Sequence, residues 1–484
     1  MRILFAASEM TPFCKTGGLA DVAGALPPVL AGLGHIVAAV IPGYYEIGQK
    51  LFDFVKTGER VDVPVGDKHI PLEISSVTRD GVTVLLLEND EFFGRPGLYG
   101  DENGDYPDNA VRFILYSRGV IETARLLGLK PDVVHAHDWQ AGLVPAYLSL
   151  VYAGDPLFSG TATLFTVHNL GYQGLFPLET FPLTGLPPEA LDWRKAEYWG
   201  KVSFLKAGIV YADAVSTVSG AYADEITREP LGFGMHGVFS GRMGDLYGIV
   251  NGIDIREWDP SADKVLPARF AVGDMQGKKA CRKALLDACG FTAKAGVPVF
   301  GMVTRLDDQK GLDILEAAVG RLVSMDIRLV ILGTGTRRHH EAVNELASRY
   351  PDRIKAFLTF DNTKAHLIYA GSDAFLMPSR YEPCGLGQLI AMRYGTLPVV
   401  HATGGLKDTV RDMDAHPYGG DGFVFDDHTP EALANAAGRA VAAFREKGKR
   451  RWNTAVKRVM RRDFSWRGSA EKYVDLYHKL RNRT

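Results

Sequence analysis

Cysteine is scarce in this sequence, and the net charge is close to zero. The 484 residues contain four cysteines with no C-x-x-C pair among them, which argues against a zinc site and against a disulfide framework. A formal net charge of −2 gives no basic field that would attract nucleic acid or an anionic membrane. No apolar run is long enough to span a membrane, and the strand-like start leaves no room for a signal peptide. These absences predict a cytoplasmic protein with no nucleic-acid partner and no membrane partner.

Glycine, in contrast, is abundant. The 53 glycines and the apolar content of 46% suit a turn-rich α/β protein with an ample core. The length allows two large α/β domains or about three smaller ones. Strand-like and helix-like segments alternate along most of the chain, which is typical of doubly wound sheets. Residues 61–91 are expected to form an inserted hairpin, and residues 254–277 a linker between the two halves.

The first glycine-rich turn has the sequence KTGGL, at residues 15–19, between a predicted strand and a predicted helix. Glycines in such a turn let the backbone approach a phosphate-bearing ligand. The spacing is neither G-x-G-x-x-G nor that of a Walker loop, because Lys15 precedes the glycines. An ordinary turn with a solvated lysine remains an alternative.

A second such turn follows the predicted strand at residues 373–377. Glu382, Cys384, Gly385 and Gly387 precede a predicted helix, whose first backbone N–H groups favour an anion. The carboxylate of Glu382 would repel a phosphate, so it is better suited to the hydroxyls of an attached sugar. Residues 403–406 form a further glycine turn. Both turns could also be ordinary βα connections.

Polar residues follow two predicted strands of the first half. Asp138 and Trp139 come after residues 132–136, and His168 comes after residues 163–167. Ligands of open α/β sheets bind outside the carboxyl ends of the strands, so these residues are candidates for a sugar site. Asp138 could instead cap the next helix. His168 could be a base, a hydrogen-bond donor or a structural residue.

Two cations share one predicted βα loop in the second half. Arg305 and Lys310 follow the strand at residues 299–303. Fixed cations at this edge of a sheet can offset the charge that grows on a leaving phosphate, without a metal. Two solvated loop residues, or a lysine that merely begins a helix, are the alternatives.

Taken together, these motifs resemble those of the bacterial glycogen synthases and plant starch synthases, in the same order from residue 1 to about residue 477. The resemblance implies an α/β protein of GT-B fold: two Rossmann-like, doubly wound domains facing a deep interdomain cleft. Residues 1–255 and 256–463 would form the domains, and residues 464–484 a helix that crosses back to the first. It further implies a retaining, metal-independent glucosyltransferase without a cofactor, which moves glucose from the co-substrate ADP-glucose to the non-reducing 4-OH end of an α-1,4-glucan.

The resemblance also implies roles for individual residues. Contacts to the diphosphate fall on Lys15, Gly18, Arg305 and Lys310, beside the motif residues Cys384, Gly385, Leu386 and Gly387. Glu382 would hold glucose hydroxyls, His168 and Asp138 would lie beside the reacting carbon and the acceptor, and Asp21 and Asn251 would occupy further cleft positions. The family more often has Thr or Ser where this chain has Gly387, so a hydroxyl donor to the phosphate is absent, which bears on affinity more than on activity.

Three other functions are compatible with parts of the sequence. A transferase acting on a lipid or a small molecule would usually carry a basic or apolar membrane-facing patch, which is not evident. An inactive glucan-binding protein would be expected to lose Arg305, Lys310 or Glu382, and all three are present. A dinucleotide oxidoreductase is disfavoured because no G-x-G-x-x-G follows a strand. The residues alone do not select ADP-glucose over UDP-glucose; that preference comes from the resemblance.

Overall fold

The chain divides into two compact units. The structure is a computed structural model that describes residues 1–50, 52–102 and 104–483. The first unit comprises Met1–Asn251 and Trp466–Thr484, and the second comprises Gly252–Ser465. Each unit has a hydrophobic core of its own. Thr484, at the end of the predicted terminal segment, lies outside the described residues.

The first unit is built on a nine-stranded sheet with the order β14-β13-β9-β8-β1-β2-β5-β4-β3. Its strands are β1 (Arg2–Ala6), β2 (Ile36–Pro42), β3 (Val55–Val65), β4 (Lys68–Arg79), β5 (Val82–Glu88), β8 (Val133–His137), β9 (Ala162–Val167), β13 (Ala214–Thr217) and β14 (Leu246–Gly248). From β14 to β5, each strand is parallel to the next one in this order. β8 and β9 are buried along their whole length, as expected for central strands covered on both faces.

Helices and short strands complete the first unit. The helices are α1 (Gly18–Gly32), α2 (Tyr45–Gly48), α3 (Asn109–Leu126), α4 (Leu143–Leu150), α5 (Phe181–Thr184), α6 (Phe204–Tyr211), α7 (Gly220–Glu225), α8 (His236–Ser240) and α17 (Arg467–Arg481). Two strands, β6 (Gly100–Asp101) and β7 (Gly104–Asp105), pair with each other, and β10 (Leu175–Pro177), β11 (Glu197–Tyr198) and β12 (Lys201–Ser203) form a small antiparallel sheet.

The expectation of an inserted hairpin at residues 61–91 is wrong in one respect. β4 and β5 do pair antiparallel, but β5 also pairs parallel with β2, so both strands extend the main sheet. The apolar residues of β5 are the reason. Four of them in a row, from Val84 to Leu87, are buried, which suits a strand inside a sheet and not an exposed hairpin.

The second unit contains a six-stranded, fully parallel sheet with the order β17-β16-β15-β18-β19-β20. Its strands are β15 (Val299–Val303), β16 (Arg328–Leu332), β17 (Ile354–Phe357), β18 (Ala374–Met377), β19 (Leu397–His401) and β20 (Phe423–Phe425). Its helices are α9 (Gln276–Cys289), α10 (Leu312–Ser324), α11 (Arg337–Arg349), α12 (Asn362–Gly371), α13 (Gly387–Arg393), α14 (Gly404–Thr409), α15 (Pro430–Arg445) and α16 (Arg450–Arg461).

Residues 254–277 are not a free linker, contrary to the sequence-based expectation. They have little regular structure, but they pack on the second core. Trp258 stacks on the His366 ring at 4.1 Å between centroids, and Asp263 accepts hydrogen bonds from His366 Nδ1 at 2.7 Å and from the Tyr394 hydroxyl at 2.6 Å. Phe270 is buried as well. The segment therefore belongs to the second unit.

Both sheets reverse their strand order at one point. In the second unit, β15 lies between β16 and β18, so the chain winds first to one side of β15 and then to the other. In the first unit, β1 lies in the same way between β2 and β8. In doubly wound sheets, ligands bind outside the carboxyl ends of the strands at this switch point. The loops after β1, β8, β15 and β18 are therefore where each unit is expected to bind a ligand.

Candidate active site

In the second unit, the loops after β15 and β18 meet in a buried ion pair. Lys310 Nζ lies 2.7 Å from one carboxylate oxygen of Glu382 and 3.0 Å from the other. The Ser379 hydroxyl donates a further hydrogen bond to the carboxylate, at 2.9 Å. The two side chains of the ion pair are only 14% and 8% exposed. Lys310 is therefore neither a solvated loop cation nor the start of a helix; it is fixed beside Glu382.

Gly311 explains how the two loops come so close. Its φ of 70° is a left-handed conformation that favours glycine, and a Cβ built there would lie 1.9 Å from the carbonyl oxygen of Pro378. Lys310 ends a 3₁₀ turn, Asp308–Lys310, directly before this glycine. The sequence pair Lys-Gly thus brings the lysine against the loop that contains Glu382.

Arg305 differs from Lys310 in its surroundings. Its side chain is 46% exposed, and its guanidinium lies 3.8 Å from the carboxylate of Asp307 in the same loop. The two cations predicted for this loop are thus of different kinds. Lys310 is fixed and buried, whereas Arg305 reaches into solvent, where a ligand can contact it.

The glycine turn after β18 is packed against the second glycine turn. Gly385 has a φ of 72°. A Cβ at Gly404 would lie 2.0 Å from the Glu382 carbonyl oxygen, and one at Gly405 would lie 2.0 Å from that of Cys384. The backbone N–H of Gly405 donates to the Glu382 carbonyl at 3.0 Å. Only glycines at positions 404 and 405 allow the two backbones to come so close. Residues 403–406 therefore hold the backbone that positions Glu382, Leu386 and the buried Cys384.

Gly387 is the first residue of α13, which is seven residues long. A Cβ at this position would lie 3.1 Å from the Phe375 ring, 3.4 Å from Met377 Sδ and 3.5 Å from the Tyr369 hydroxyl. The first distance is shorter than an ordinary contact. Glycine therefore fits the large side chains beneath it, and a hydroxyl-bearing residue would need a small shift of Phe375.

In the first unit, the loop after β1 is organised around Glu9, which sequence reasoning missed. The buried Glu9 carboxylate accepts hydrogen bonds from the backbone N–H groups of Thr16, at 2.5 Å, and Gly17, at 3.0 Å. It also accepts from the hydroxyls of Thr16, at 2.6 Å, and Tyr99, at 2.7 Å. The one available signal was a carboxylate three residues after the end of a buried strand. Glu9 fixes the shape of the KTGGL turn from beneath.

Lys15 and Asp21 are brought together at the top of this turn. Lys15 Nζ lies 2.6 Å from Asp21 Oδ1, and the two side chains are 42% and 30% exposed. Gly18 begins the 15-residue helix α1, and a Cβ at Gly18 would contact nothing within 4 Å. The ammonium group of Lys15 and the first residue of a long helix are therefore exposed to solvent at the switch point, where an anion can approach.

Asp138 follows β8 in a strained conformation. Its φ is 54° and its ψ −179°, a combination that L-residues rarely adopt and that clusters at functional sites. The sequence also allowed Asp138 to cap the next helix, but its carboxylate does not do so. It accepts a hydrogen bond from the backbone N–H of His168 at 2.7 Å. Burial raises the pKa of Asp138 to about 7, with the backbone hydrogen bond of His168 opposing the rise and the charge of Glu9 adding to it.

His168 is buried beside another histidine, and Trp139 is packed among aromatic rings. Burial lowers the pKa of His168 to about 3, so the ring is neutral at physiological pH. Its Nε2 lies 3.0 Å from Nδ1 of His137. Trp139 meets Phe113 edge-to-face at 4.8 Å and Phe176 at 5.7 Å. A group with so low a pKa is a poor base, which leaves hydrogen bonding as the chemistry of His168.

Asn251 ends the first unit and is buried. Its side-chain oxygen has no hydrogen-bond partner in the part of the chain that the structure describes.

Within each unit, the predicted site residues form local groups. Lys15 pairs with Asp21, Asp138 contacts His168, and Lys310 lies against Glu382 beside the glycine turn.

Among residues 1–50, 52–102 and 104–483, no three side chains of His, Cys, Asp or Glu come together in a way that could hold a metal ion. In the same residues, no helix is both long enough and apolar enough to cross a membrane.

Known proteins match the chain over its full length. A family model described as starch synthase catalytic domain matches residues 2–241, and one described as glycosyl transferases group 1 matches residues 291–454. The glycogen synthase of Syntrophotalea carbinolica is 46% identical over 479 residues, 99% of either chain. The chain belongs to the glycogen synthase and starch synthase family. A second relative supports this family assignment. The glycogen synthase of Geotalea daltonii is 45% identical over 99% of this chain and 98% of its own.

Solved structures of this family and of more distant proteins show the fold. The catalytic domain of starch synthase IV from Arabidopsis thaliana, bound to ADP and acarbose, superposes with a TM-score of 0.92, at 32% identity over 99% of both chains. A sucrose-phosphate synthase from Thermosynechococcus elongatus, 18% identical over the full length of both chains, gives 0.61. The chain therefore has the GT-B fold with two Rossmann-like α/β domains. The predicted family, fold class and glycosyltransferase activity are confirmed.

Proposed function

We propose that this protein is a glycogen synthase that uses ADP-glucose as its glucosyl donor, without a metal ion or other cofactor. The observation that carries the proposal is the Lys310–Glu382 pair, at 2.7 Å, beside the glycine turn of residues 385–387. It places a cation suited to a phosphate next to an acceptor suited to sugar hydroxyls. A nucleoside diphosphate joined to glucose presents these two groups side by side.

The second unit would supply the groups that act on the donor. In this proposal, Arg305 and Lys310 stabilise the negative charge that develops on the leaving phosphate, with the backbone N–H groups of residues 385–387 beside them. Glu382 accepts hydrogen bonds from the hydroxyls of the transferred glucose. Because the leaving group is already good, the protein needs chiefly to orient the donor and to exclude water.

The first unit would supply the groups that act around the reacting carbon and the acceptor. Lys15 and Gly18 approach the diphosphate from the KTGGL turn, and Asp21 positions Lys15 through their 2.6 Å ion pair. Asp138 accepts a hydrogen bond from the acceptor, an α-1,4-glucan, and His168 contributes a hydrogen bond to the sugar. Asn251, whose buried side-chain oxygen has no partner among the described residues, offers one further acceptor.

The proposed reaction retains the configuration at the reacting carbon. We assign no pair of carboxylates to the two sides of that carbon, as a double displacement through a glycosyl-enzyme would require. In the mechanism we propose, the 4-hydroxyl of the glucan attacks on the face from which the phosphate departs, and the departing phosphate accepts the hydroxyl proton. The bond from glucose to phosphate breaks as the bond from glucose to the glucan oxygen forms.

The test is incorporation of labelled glucose into glycogen from ADP-glucose and from UDP-glucose, over a range of donor concentrations. We expect a higher kcat/KM with ADP-glucose. An equal or higher kcat/KM with UDP-glucose would refute the donor assignment, and absence of incorporation from either donor would refute the proposed function.

A further inference from the structure

Three histidines lie in a row at the carboxyl ends of β8 and β9. The ring of His137 packs against the rings of Phe5 and His135, at 4.1 Å and 4.0 Å between centroids, and those two rings also contact each other, at 5.1 Å. Nδ1 of His137 lies 3.0 Å from Nε2 of His168. His135 and His137 are fully buried and His168 is 8% exposed. A hydrogen bond between two such rings determines which nitrogen of each ring carries its proton.

Both rings of the contact are neutral. Burial lowers the pKa of His137 well below the usual value of histidine, and it lowers the pKa of His168 to about 3. Each neutral ring carries one proton, so one ring donates at this contact and the other accepts. Two arrangements are possible. His137 carries its proton on Nδ1 and donates to His168, or it carries its proton on Nε2 and accepts from His168 at Nδ1.

The surroundings of His137 Nε2 decide between them. This atom is buried and has no hydrogen-bond partner within the described residues. If His137 accepted at Nδ1, its proton would be on Nε2, as a buried N–H without an acceptor. If His137 donates from Nδ1, only a lone pair is left unpaired. Unpaired buried N–H groups are the rarer and more unfavourable case, so His137 donates.

The neighbouring His135 does not offer His137 another partner. Its Nδ1 lies 2.7 Å from the Tyr477 hydroxyl, and its Nε2 lies 2.6 Å from the Thr166 hydroxyl. Both of its nitrogens are therefore engaged. His168 is consequently the partner that remains for His137 in this stack.

We propose that His137 is a positioning residue that holds His168 as the tautomer with its proton on Nδ1. His168 then accepts from His137 through Nε2 and presents an Nδ1–H group. The contact with His137 occupies Nε2 of His168, so the Nδ1–H group is the one that is presented to the substrate. His168 is thus a fixed hydrogen-bond donor to a sugar hydroxyl and not a base. The contact with the sugar and the kinetic consequence rest on the proposed function, whereas the tautomer does not.

The direct test is the ¹⁵N NMR spectrum of the full-length protein labelled at histidine. The chemical shifts distinguish a protonated from an unprotonated ring nitrogen, and the signals of His168 are assigned by their loss in His168→Asn. We expect His168 to be protonated at Nδ1 and not at Nε2. Protonation at Nε2 would overturn the inference, whatever the enzymatic activity of the protein.

Two variants and a matched control test the consequence for activity. His137→Phe keeps a ring packed against Phe5 and His135 but removes the donor, whereas His137→Asn keeps an N–H in place of Nδ1. Tyr477→Phe removes another buried hydrogen bond of the same stack, to His135, without touching the His137–His168 contact. Each variant is compared with wild type for kcat, KM, Tm and the His168 spectrum.

We expect His137→Phe to lower kcat by about tenfold, the scale of one lost hydrogen bond, and to give His168 a mixture of tautomers. His137→Asn should restore both properties, and Tyr477→Phe should lower Tm while kcat and the spectrum stay unchanged. Wild-type kcat in His137→Phe, or an equal loss of kcat in Tyr477→Phe, would overturn the positioning role. Should His137→Phe fail to fold, the spectra of wild type and His137→Asn still decide the tautomer.

Discussion

Replacement of Lys310 by methionine is expected to cause two separable losses, one of stability and one of activity. The methionine leaves the Glu382 carboxylate buried, at 8% exposure, with Ser379 as a remaining hydrogen-bond donor. Removing one partner of a buried ion pair costs about 3–5 kcal/mol. Because Lys310 is itself 14% exposed and water can reach the site, we expect a loss of about 3 kcal/mol.

This loss translates into a measurable change in Tm. For a unit of about 200 residues, 1 kcal/mol shifts Tm by about 2–4 °C, so Lys310→Met should lower the Tm of the second unit by about 6–12 °C. The activity loss has another origin. Removing one group that stabilises developing charge lowers kcat by about 10²–10³. Differential scanning calorimetry and the glucose-incorporation assay measure the two effects independently.

Arg305 provides the matched control. Its side chain is 46% exposed, and its ion pair with Asp307 spans 3.8 Å, so Arg305→Ala should change the stability by less than about 1 kcal/mol. Its kcat should nevertheless fall by about 10²–10³, as for Lys310. The double variant Lys310→Met/Glu382→Gln removes the unpaired charge and should regain most of the Tm, but not the activity. A wild-type Tm in Lys310→Met, or a double variant no more stable than the single one, would refute this reasoning.

Three further outcomes are expected. Glu9→Gln should shift the acidic limb of the pH profile of kcat/KM to lower pH. The reason is that the charge of Glu9 raises the pKa of Asp138, which is about 7 in the wild type. An acidic limb at the same or a higher pH would contradict this prediction. EDTA should leave the activity intact, and a loss that Mg²⁺ restores would disprove the metal-free mechanism. Gly387→Ser should lower the KM for ADP-glucose by about fivefold through one added hydrogen bond, while the 3.1 Å approach to Phe375 lowers Tm; an unchanged or higher KM would show that the hydroxyl does not reach the phosphate.

The fold class follows from the sequence because its signals are local. Central strands such as β8 and β9 are short apolar runs, and each is followed by a turn and a helix, so the alternation is legible without any long-range contact. The errors arose where burial is decided elsewhere. Residues 254–277 have no periodicity, yet Trp258 and Asp263 pack on His366. A polar, irregular segment has the appearance of a linker when its partner, about a hundred residues away, is not known.

The candidate site was predictable as a set of positions but not as an arrangement. The strand-end rule identifies Asp138, His168 and Lys310, because polar residues at the carboxyl ends of buried strands are unusual. It does not reveal that Lys310 is buried against Glu382, 72 residues further along the chain. Nor does it reveal that the Asp138 carboxylate binds a backbone N–H instead of capping a helix. Such contacts depend on which loops the switch point brings together, and that is a property of the strand order.

Glu9 and His137 illustrate what lies beyond residue types and spacing. Neither needs to touch a substrate, and each acts through a neighbour: Glu9 on the backbone of Thr16 and Gly17, His137 on the ring of His168. Both are buried, so in the sequence they resemble ordinary core positions with an unexpected polar residue. A buried polar group must be hydrogen-bonded, and the identity of its partner is what gives it a function. At a doubly wound switch point, a polar residue inside or directly after a central strand therefore has a strong claim to a role in positioning the site.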